Sequence, residues 1–489
     1  MIEQEKYVIN DKEFDRRICP SDWRYSASIV GMIRYFDYHN ISYKVENQYL
    51  YYNYETVNNE SDSKYMEFVE KKYAKRMHHV ELERLLDIDE KTDEEYQQIK
   101  DKLKANIIMK KVFKEIKEED NPEDIKYLID ENREKIIGQT FKGAHYGYSK
   151  FANNYKFRSK RDKVCRLKGY YVDTGRKTKS ISFGFDNKTR NYSDHIEFDF
   201  IPFAFTNNRE SIFVNNNSSV INLLKTNNKI DSDMRNNNDN NFRSRMFYSY
   251  QEGSEYIDFD VEIIIKEMNK EYFETIFVRK EAIDIFNSIK NMDIGRDYIK
   301  MALARSIKIT DDFYINIMEE VTNSILNLIV LDNLIIYLFS FEVKKNQNGE
   351  NKKSKYGFLI SQLIKINKII YKKKVLTKGD NKMSYKNVRQ CAEQVKRKLT
   401  GRSMQHKLDS YRSKLIGALV ANDNDRFIEI MLQLQSYTQV PFDFLHYLIM
   451  DFEKNKNLAY DFVNQLNFFE LKNEEKKEEV KEWVIKHLH

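Results

Sequence analysis

The chain has 489 residues, of which 41% are apolar and 13% aromatic, a composition too hydrophobic for a disordered polymer and long enough for two to four domains. Its three cysteines, Cys19, Cys165 and Cys391, lie far apart, which argues against a disulfide framework and for a reducing compartment. The net charge of +6 is unevenly spread: residues 142–190 carry +11, residues 344–414 carry +17, and the remainder sums to −22, the footprint of a polyanion track.

The N-terminus is charged and has no apolar signal core, and no run is long and apolar enough for a confident membrane span, so a cytoplasmic protein is expected. SDWRYSASIVGMIRYFDYHN has Ser21 or Asp22 as a cap and Trp23, Ala27, Val30, Ile33 and Phe36 at helical spacing, which predicts a helix over 22–39. ISYKVE and QYLYYNYE alternate around Asn47 as a hairpin. Residues 62–137 read as amphipathic helices. From Gly138, glycines, aromatics and cations without a period predict a loop. CRLKGYYV, KSISFGF, HIEFDFIPFAF and SIFVNN read as short strands, and Asn215–Asn241 as an Asn-rich mobile connection.

Ile325–Phe341 reads as one largely buried helix. Four apolar stripes follow, on Leu408 to Leu419, Phe427 to Leu434, Phe444 to Phe452 and Leu458 to Phe469, with turns at 422–424, 440–441 and 455–457, and then a terminal exposed helix. These stripes predict a helical bundle. The fold class expected is α+β: a mixed helical and small-sheet region over 1–305 and a helical region ending in a bundle over 306–489.

No GxxxxGKS or GxxxxGKT, HExxH or GxSxG sequence is present, so no enzyme, cofactor or metal site is expected. His78 and His79 read as exposed helix residues. RNYSDH places Arg190 and His195 at the spacing of a helical ribonuclease family, but between strand-like runs rather than on a helix; that pair is the alternative catalytic reading.

The basic stretches carry the binding expectation. In the first, Lys142, Lys150, Lys156, Arg158, Lys160 and Arg161 are candidates for phosphates, Tyr148 for stacking, and Gln139, Asn153 and Asn154 for base edges. The competing reading is a solvated loop whose tyrosines belong to the core. In the second, Lys386, Arg389, Lys396, Arg397, Lys398, Arg402, Lys407, Arg412 and Lys414 offer a basic surface to a single strand, against a charged linker.

The order of DWRYSASIVG, an aromatic hairpin, GQTFKG, IPFAFTNNRESIFVNNN and SYRSKLIGALVANDNDRFIEIMLQL resembles the large subunit of type I CRISPR surveillance complexes, closest to type I-B. The resemblance implies a non-nucleolytic subunit that recognises the protospacer-adjacent motif in duplex DNA, stabilises the R-loop and recruits a separate helicase-nuclease. It implies a guide RNA complex with backbone and small subunits as partners, and Met318 or Met383 as an internal start for a small subunit. The family's two CxxC pairs are degenerate here: Cys165 is followed by Lys168 at the second position, and His195 and Phe198 stand at the other pair, so no structural zinc is expected. The alternative to this reading is an unrelated nucleic-acid-binding scaffold of a phage or plasmid.

Overall fold

A computed structural model of the protein describes residues 2–46, 48–58, 62–143, 147–154, 157–159, 166–167, 195–206, 209–236, 242–270, 272–292, 296–308, 314–346, 356–374, 385–399 and 405–467. The fold is α+β, with small antiparallel sheets set among helices. The chain divides into two compact units, Met1–Ile283 and Asp284–His489. Among the described residues no helix is long and apolar enough to cross a membrane.

The first unit is organised around the helix Trp23–His39. Asp22 caps it by accepting from the Arg24 N–H at 2.9 Å, and Asn40 ends it in the left-handed conformation at φ 54°. The five predicted apolar positions are all buried, but so are Ser26, Ser28, Ile29, Met32 and Tyr35, so the helix is enclosed on more than one face. On one side lies a four-stranded antiparallel sheet in the order β1-β2-β4-β3, built from β1 (Ile2–Ile9), β2 (Lys12–Ile18), β3 (Lys44–Glu46) and β4 (Tyr49–Tyr52). The β3–β4 hairpin is the predicted one. The β1–β2 hairpin escapes the sequence reading, although Asn10 and Asp11, at φ 47° and 60°, supply the two positive φ values that a tight hairpin turn demands.

HIEFDFIPFAF is not a strand. Ile196–Phe200 is a 3-10 turn continued by the helical turn Ile201–Ala204, and it packs along the Trp23–His39 helix. Its polar alternation misleads because Glu197 and Asp199 face inward: Tyr52 donates to Glu197 at 2.6 Å and Tyr148 to Asp199 at 2.6 Å. The contact is close enough that a Cβ on Gly31 would stand 2.0 Å from the Phe200 carbonyl oxygen.

The helices Ser63–Tyr73, His78–Leu86, Asp93–Leu103, Ile107–Val112 and Pro122–Gly143 bear out the amphipathic reading of 62–137, with a second apolar cluster around Leu82, Ile99, Met109 and Ile129. The last of these helices runs five residues past the loop boundary expected at Gly138. His79 is buried, not exposed, and its Nε2 lies 2.6 Å from Glu70, which also accepts from Arg133.

The segment expected to be a mobile Asn-rich connection is the helix Val220–Asn236, because Val220, Leu223 and Ile230 keep helical spacing and are buried. It lies against β5 (Glu210–Asn215), the first strand of a sheet ordered β5-β6-β7 with β6 (Val261–Glu267) and β7 (Glu274–Val278). Asn227 accepts from the Val214 N–H at 2.9 Å and donates to the Val214 carbonyl at 2.8 Å, while Thr206 does the same for Ile212 at 3.0 and 3.1 Å through its hydroxyl and its N–H.

Among its described residues the second unit is helical apart from the pair β8 (Ser306–Lys308) and β9 (Tyr314–Asn316). The single helix expected over 325–341 is two, Ile317–Leu326 and Asp332–Asn346, because Leu328 turns left-handed at φ 54° and the Ile329 N–H reaches back to Ser324. Gln405–Val420 and Asn424–Thr438 carry the first two predicted stripes, Leu445–Met450 carries Leu445 and Leu448 of the third, whose Phe452 opens the next helix, and Phe452–Asn467 carries Leu458, Phe462 and Leu466 of the fourth, whose Phe469 lies outside the described residues. The last runs straight through 455–457, where a turn was expected. Asn457 is a tertiary partner instead: Asn367 donates to its side chain at 2.9 Å and to Asp332 at 2.8 Å, fastening three helices at one buried polar node. The terminal helix expected beyond 467 lies outside the described residues.

Gly31→Ala should lower unfolding free energy by about 3 kcal/mol, since the methyl group meets backbone that cannot step aside. Gly143→Ala, with open space around it, should be neutral within about 0.5 kcal/mol. Urea unfolding with unchanged slope measures both.

Candidate nucleic-acid interface

The first basic stretch is mostly turned inward where it is described. A Cβ on Gly147 would stand 2.3 Å from the Phe141 carbonyl oxygen, so only glycine fits there, and the turn Tyr148–Phe151 then enters the core. Tyr148 is fully buried and donates to Asp199, and burial pushes its hydroxyl pKa well up. Phe141, Tyr148 and Phe157 pack ring against ring, and Phe151 stacks on Phe205 at 5.0 Å. Here the rings belong to the core, which is the competing reading of the sequence.

The cations follow the rings. Lys150 is buried and donates to Ser211 at 2.7 Å and to the Arg209 carbonyl at 3.0 Å. Arg158 pairs with Asp62 at 2.8 Å and lies over the Tyr65 ring at 4.9 Å. Arg166, which sequence reasoning passed over, is buried and pairs with Asp199 at 3.1 Å. Asn153 is buried, its N–H donating to the Arg166 carbonyl at 2.8 Å, and Asn154 is half-buried beside it. Only Gln139, exposed, and Lys142, half-buried, stand outward on the last turns of Pro122–Gly143. Lys156, Lys160 and Arg161 lie outside the described residues, as does Cys165.

In the second stretch the helix Tyr385–Leu399 turns Val388, Ala392 and Val395 inward, as a bundle helix does. Arg389 approaches Asp461 at 3.7 Å, and Lys398 donates to the Thr438 carbonyl at 2.8 Å, closing the end of Asn424–Thr438 with a cation. Lys396 is buried, and loss of hydration brings its pKa down to about 8. Arg412 pairs with Asp409 at 3.3 Å. Arg397 and Lys414 remain exposed. Lys407 lies 4.6 Å over the Tyr437 ring, Lys414 lies 5.8 Å over Tyr411, and the two tyrosines are 6.1 Å apart, so one face alternates cations with rings. From sequence Tyr411 reads only as part of the Leu408 to Leu419 stripe, and Tyr437 is not singled out; helical spacing of Lys407, Tyr411 and Lys414 is the signal that marks Tyr411, whereas Tyr437 is brought beside it by the next helix. The Lys386 side chain and Arg402 lie outside the described residues.

Of the alternative catalytic pair, His195 alone is described. His195 precedes the 3-10 turn and packs its ring on Tyr25 at 5.9 Å and Phe198 at 5.7 Å, while Arg190 lies outside the described residues.

Burial of Lys150 has a pH signature. Loss of hydration, then the nearby Arg76 and Lys266 charges, bring its pKa from 10.5 down to about 7. Between those values the unfolded chain holds the proton and the folded chain does not, so this group makes stability rise with pH from about 7 to 10.5 and contributes no slope below 7. Lys150→Met should remove that component: the stability difference between wild type and variant should drift across this window and level off below it in urea unfolding at stepped pH.

A family model described as CRISPR-associated protein Csx8 matches residues 14–241 and 225–466. No curated protein and no solved structure matches the chain significantly. The match covers most of the sequence and runs through both units, so the chain belongs to the CRISPR-associated Csx8 family.

Proposed function

We propose that this protein is the large subunit of an RNA-guided type I surveillance complex of the I-B kind. In this role it inspects duplex DNA for the protospacer-adjacent motif, holds the R-loop open and recruits a helicase-nuclease, while the guide reads sequence. The observation that carries the reading is the family match across both units. The segregated charge supports it, as does the cation and tyrosine face of Gln405–Val420 and Asn424–Thr438, which suits a displaced single strand. Backbone subunits, a small subunit and guide RNA are the partners, and the chain itself cuts nothing.

Co-expression with the backbone subunits and a guide should yield one complex that binds matched duplex DNA. Replacing Arg397, Lys407 and Lys414 by Ala should weaken target binding equally for all sequences and lower its salt slope by roughly 2, at about 0.7 for each phosphate contact on a single strand. A chain that binds nucleic acid but never joins the guide complex would favour the unrelated scaffold. Purified protein should leave labelled RNA and DNA intact with magnesium or manganese; cleavage that is lost in His195→Ala would establish the ribonuclease alternative instead.

A further inference from the structure

In the first unit, Pro122–Gly143, Ile107–Val112 and the start of His78–Leu86 enclose an open groove of about 720 Å³, within the size range of small-ligand sites. Its walls divide by chemistry. Ile107, Ile108 and Met268 supply apolar surface, Lys111 and Lys135 supply charge, and Gln139 supplies an amide. No carboxylate is among the described residues that line it.

Some cations of this region are held in ion pairs. Lys100 pairs with Glu118, Lys126 with Asp87 and Glu123, and Arg133 with Glu70, Glu83 and Asp130. Lys111 and Lys135 form no ion pair, and the side-chain amide of Gln139 no hydrogen bond, among the described residues. Ile107 exposes 88% of its surface at the rim, leaving apolar area in water that a ligand ring would cover. The groove is also pre-formed: Asn106 accepts from the Met109 N–H at 2.9 Å and donates to the Thr140 hydroxyl at 3.0 Å, tying the two helices together beneath it.

A small inorganic anion would leave the isoleucines bare, and an apolar ligand would leave two ammonium groups unanswered. A nucleotide answers both, with a flat ring, hydrogen-bonding edges and flanking phosphates. We propose that this groove takes one unpaired nucleotide of a single-stranded nucleic acid, its base against Ile107 and Ile108, its edge at Gln139, and its phosphates at Lys111 and Lys135. The proposal rests on the chain being a nucleic-acid-binding protein, not on its place in a guide complex.

The test is fluorescence anisotropy of the full chain with short oligothymidylate, oligouridylate and an abasic oligomer of the same length. Lys111→Ala with Lys135→Ala should weaken the base-bearing oligomers by roughly tenfold or more and lower the salt slope by about 1.4. Ile107→Ala should weaken them roughly tenfold while leaving the abasic oligomer unchanged. All three side chains are outside the apolar core, and unchanged thermal melting checks that the variants fold. The ratio of thymidylate to uridylate affinity tells DNA from RNA as the source. Wild-type affinity in every variant overturns the proposal, and so does an Ile107→Ala loss that is equal on the abasic oligomer, which would mark a site for phosphate alone. If the Lys111/Lys135 variant binds oligomers normally inside a working guide complex, the groove is removed and the subunit reading stands. If the groove binds as expected in a chain that never joins such a complex, the subunit reading falls and the groove stands.

Discussion

Asp199 has no surface in water, and an ionised carboxylate in that position is tolerable only if charge and hydrogen bonds come to it. Arg166 brings the charge and Tyr148 the hydroxyl, while Tyr65 donates to the Asp199 carbonyl at 2.7 Å. The two partners of the carboxylate, both at Oδ1, come from 147–167, and Tyr65 holds the backbone of the same residue, so the acid draws 147–167 onto the turn Ile196–Phe200, which packs through Gly31 onto the Trp23–His39 helix. The architecture of the first unit depends on this solvation problem having one solution.

The same point recasts the charge map. Counting Lys and Arg along a sequence cannot separate a cation that neutralises a buried acid from one that faces a ligand. In the first basic stretch Arg166 neutralises the buried Asp199, Arg158 pairs with the half-buried Asp62, and Lys150 is buried against a hydroxyl and a carbonyl. In the second, Lys396 is buried, whereas Arg397 and Lys414 face solvent. Of the groove's cations, Lys111 lies in a local basic run, residues 100–117 holding seven Lys against Asp101 and Glu115, whereas Lys135 lies among acids, so counting charge reaches one wall and not the other. Their convergence on one groove is a property of the fold and not of composition.

Periodicity made much of the fold legible. The Trp23–His39 helix, the β3–β4 hairpin and the helices Gln405–Val420 and Asn424–Thr438 follow from spacing and caps. The failures share a cause: polar residues that serve the interior. Glu197 and Asp199 imitate the solvent face of a strand, Asn227 imitates linker composition, and Asn457 imitates a turn, yet each is buried and hydrogen-bonded. Of the site residues, the outward pair Gln139 and Lys142 was legible, while Ile107 reads from sequence as one of the recurrent apolar positions of 62–137 and is exposed instead.

Asn227 and Thr206 carry one more implication. Along the free side of β5 the outward backbone groups of Ile212 and Val214 are already occupied, by a side chain from a helix and by a hydroxyl and N–H from a preceding turn. A strand margin in that state has no vacancies to offer another chain, so this sheet cannot recruit an extra strand from a misfolded or neighbouring copy there. An asparagine-rich stretch, a composition usually associated with runaway strand stacking, serves here as the stopper that prevents it.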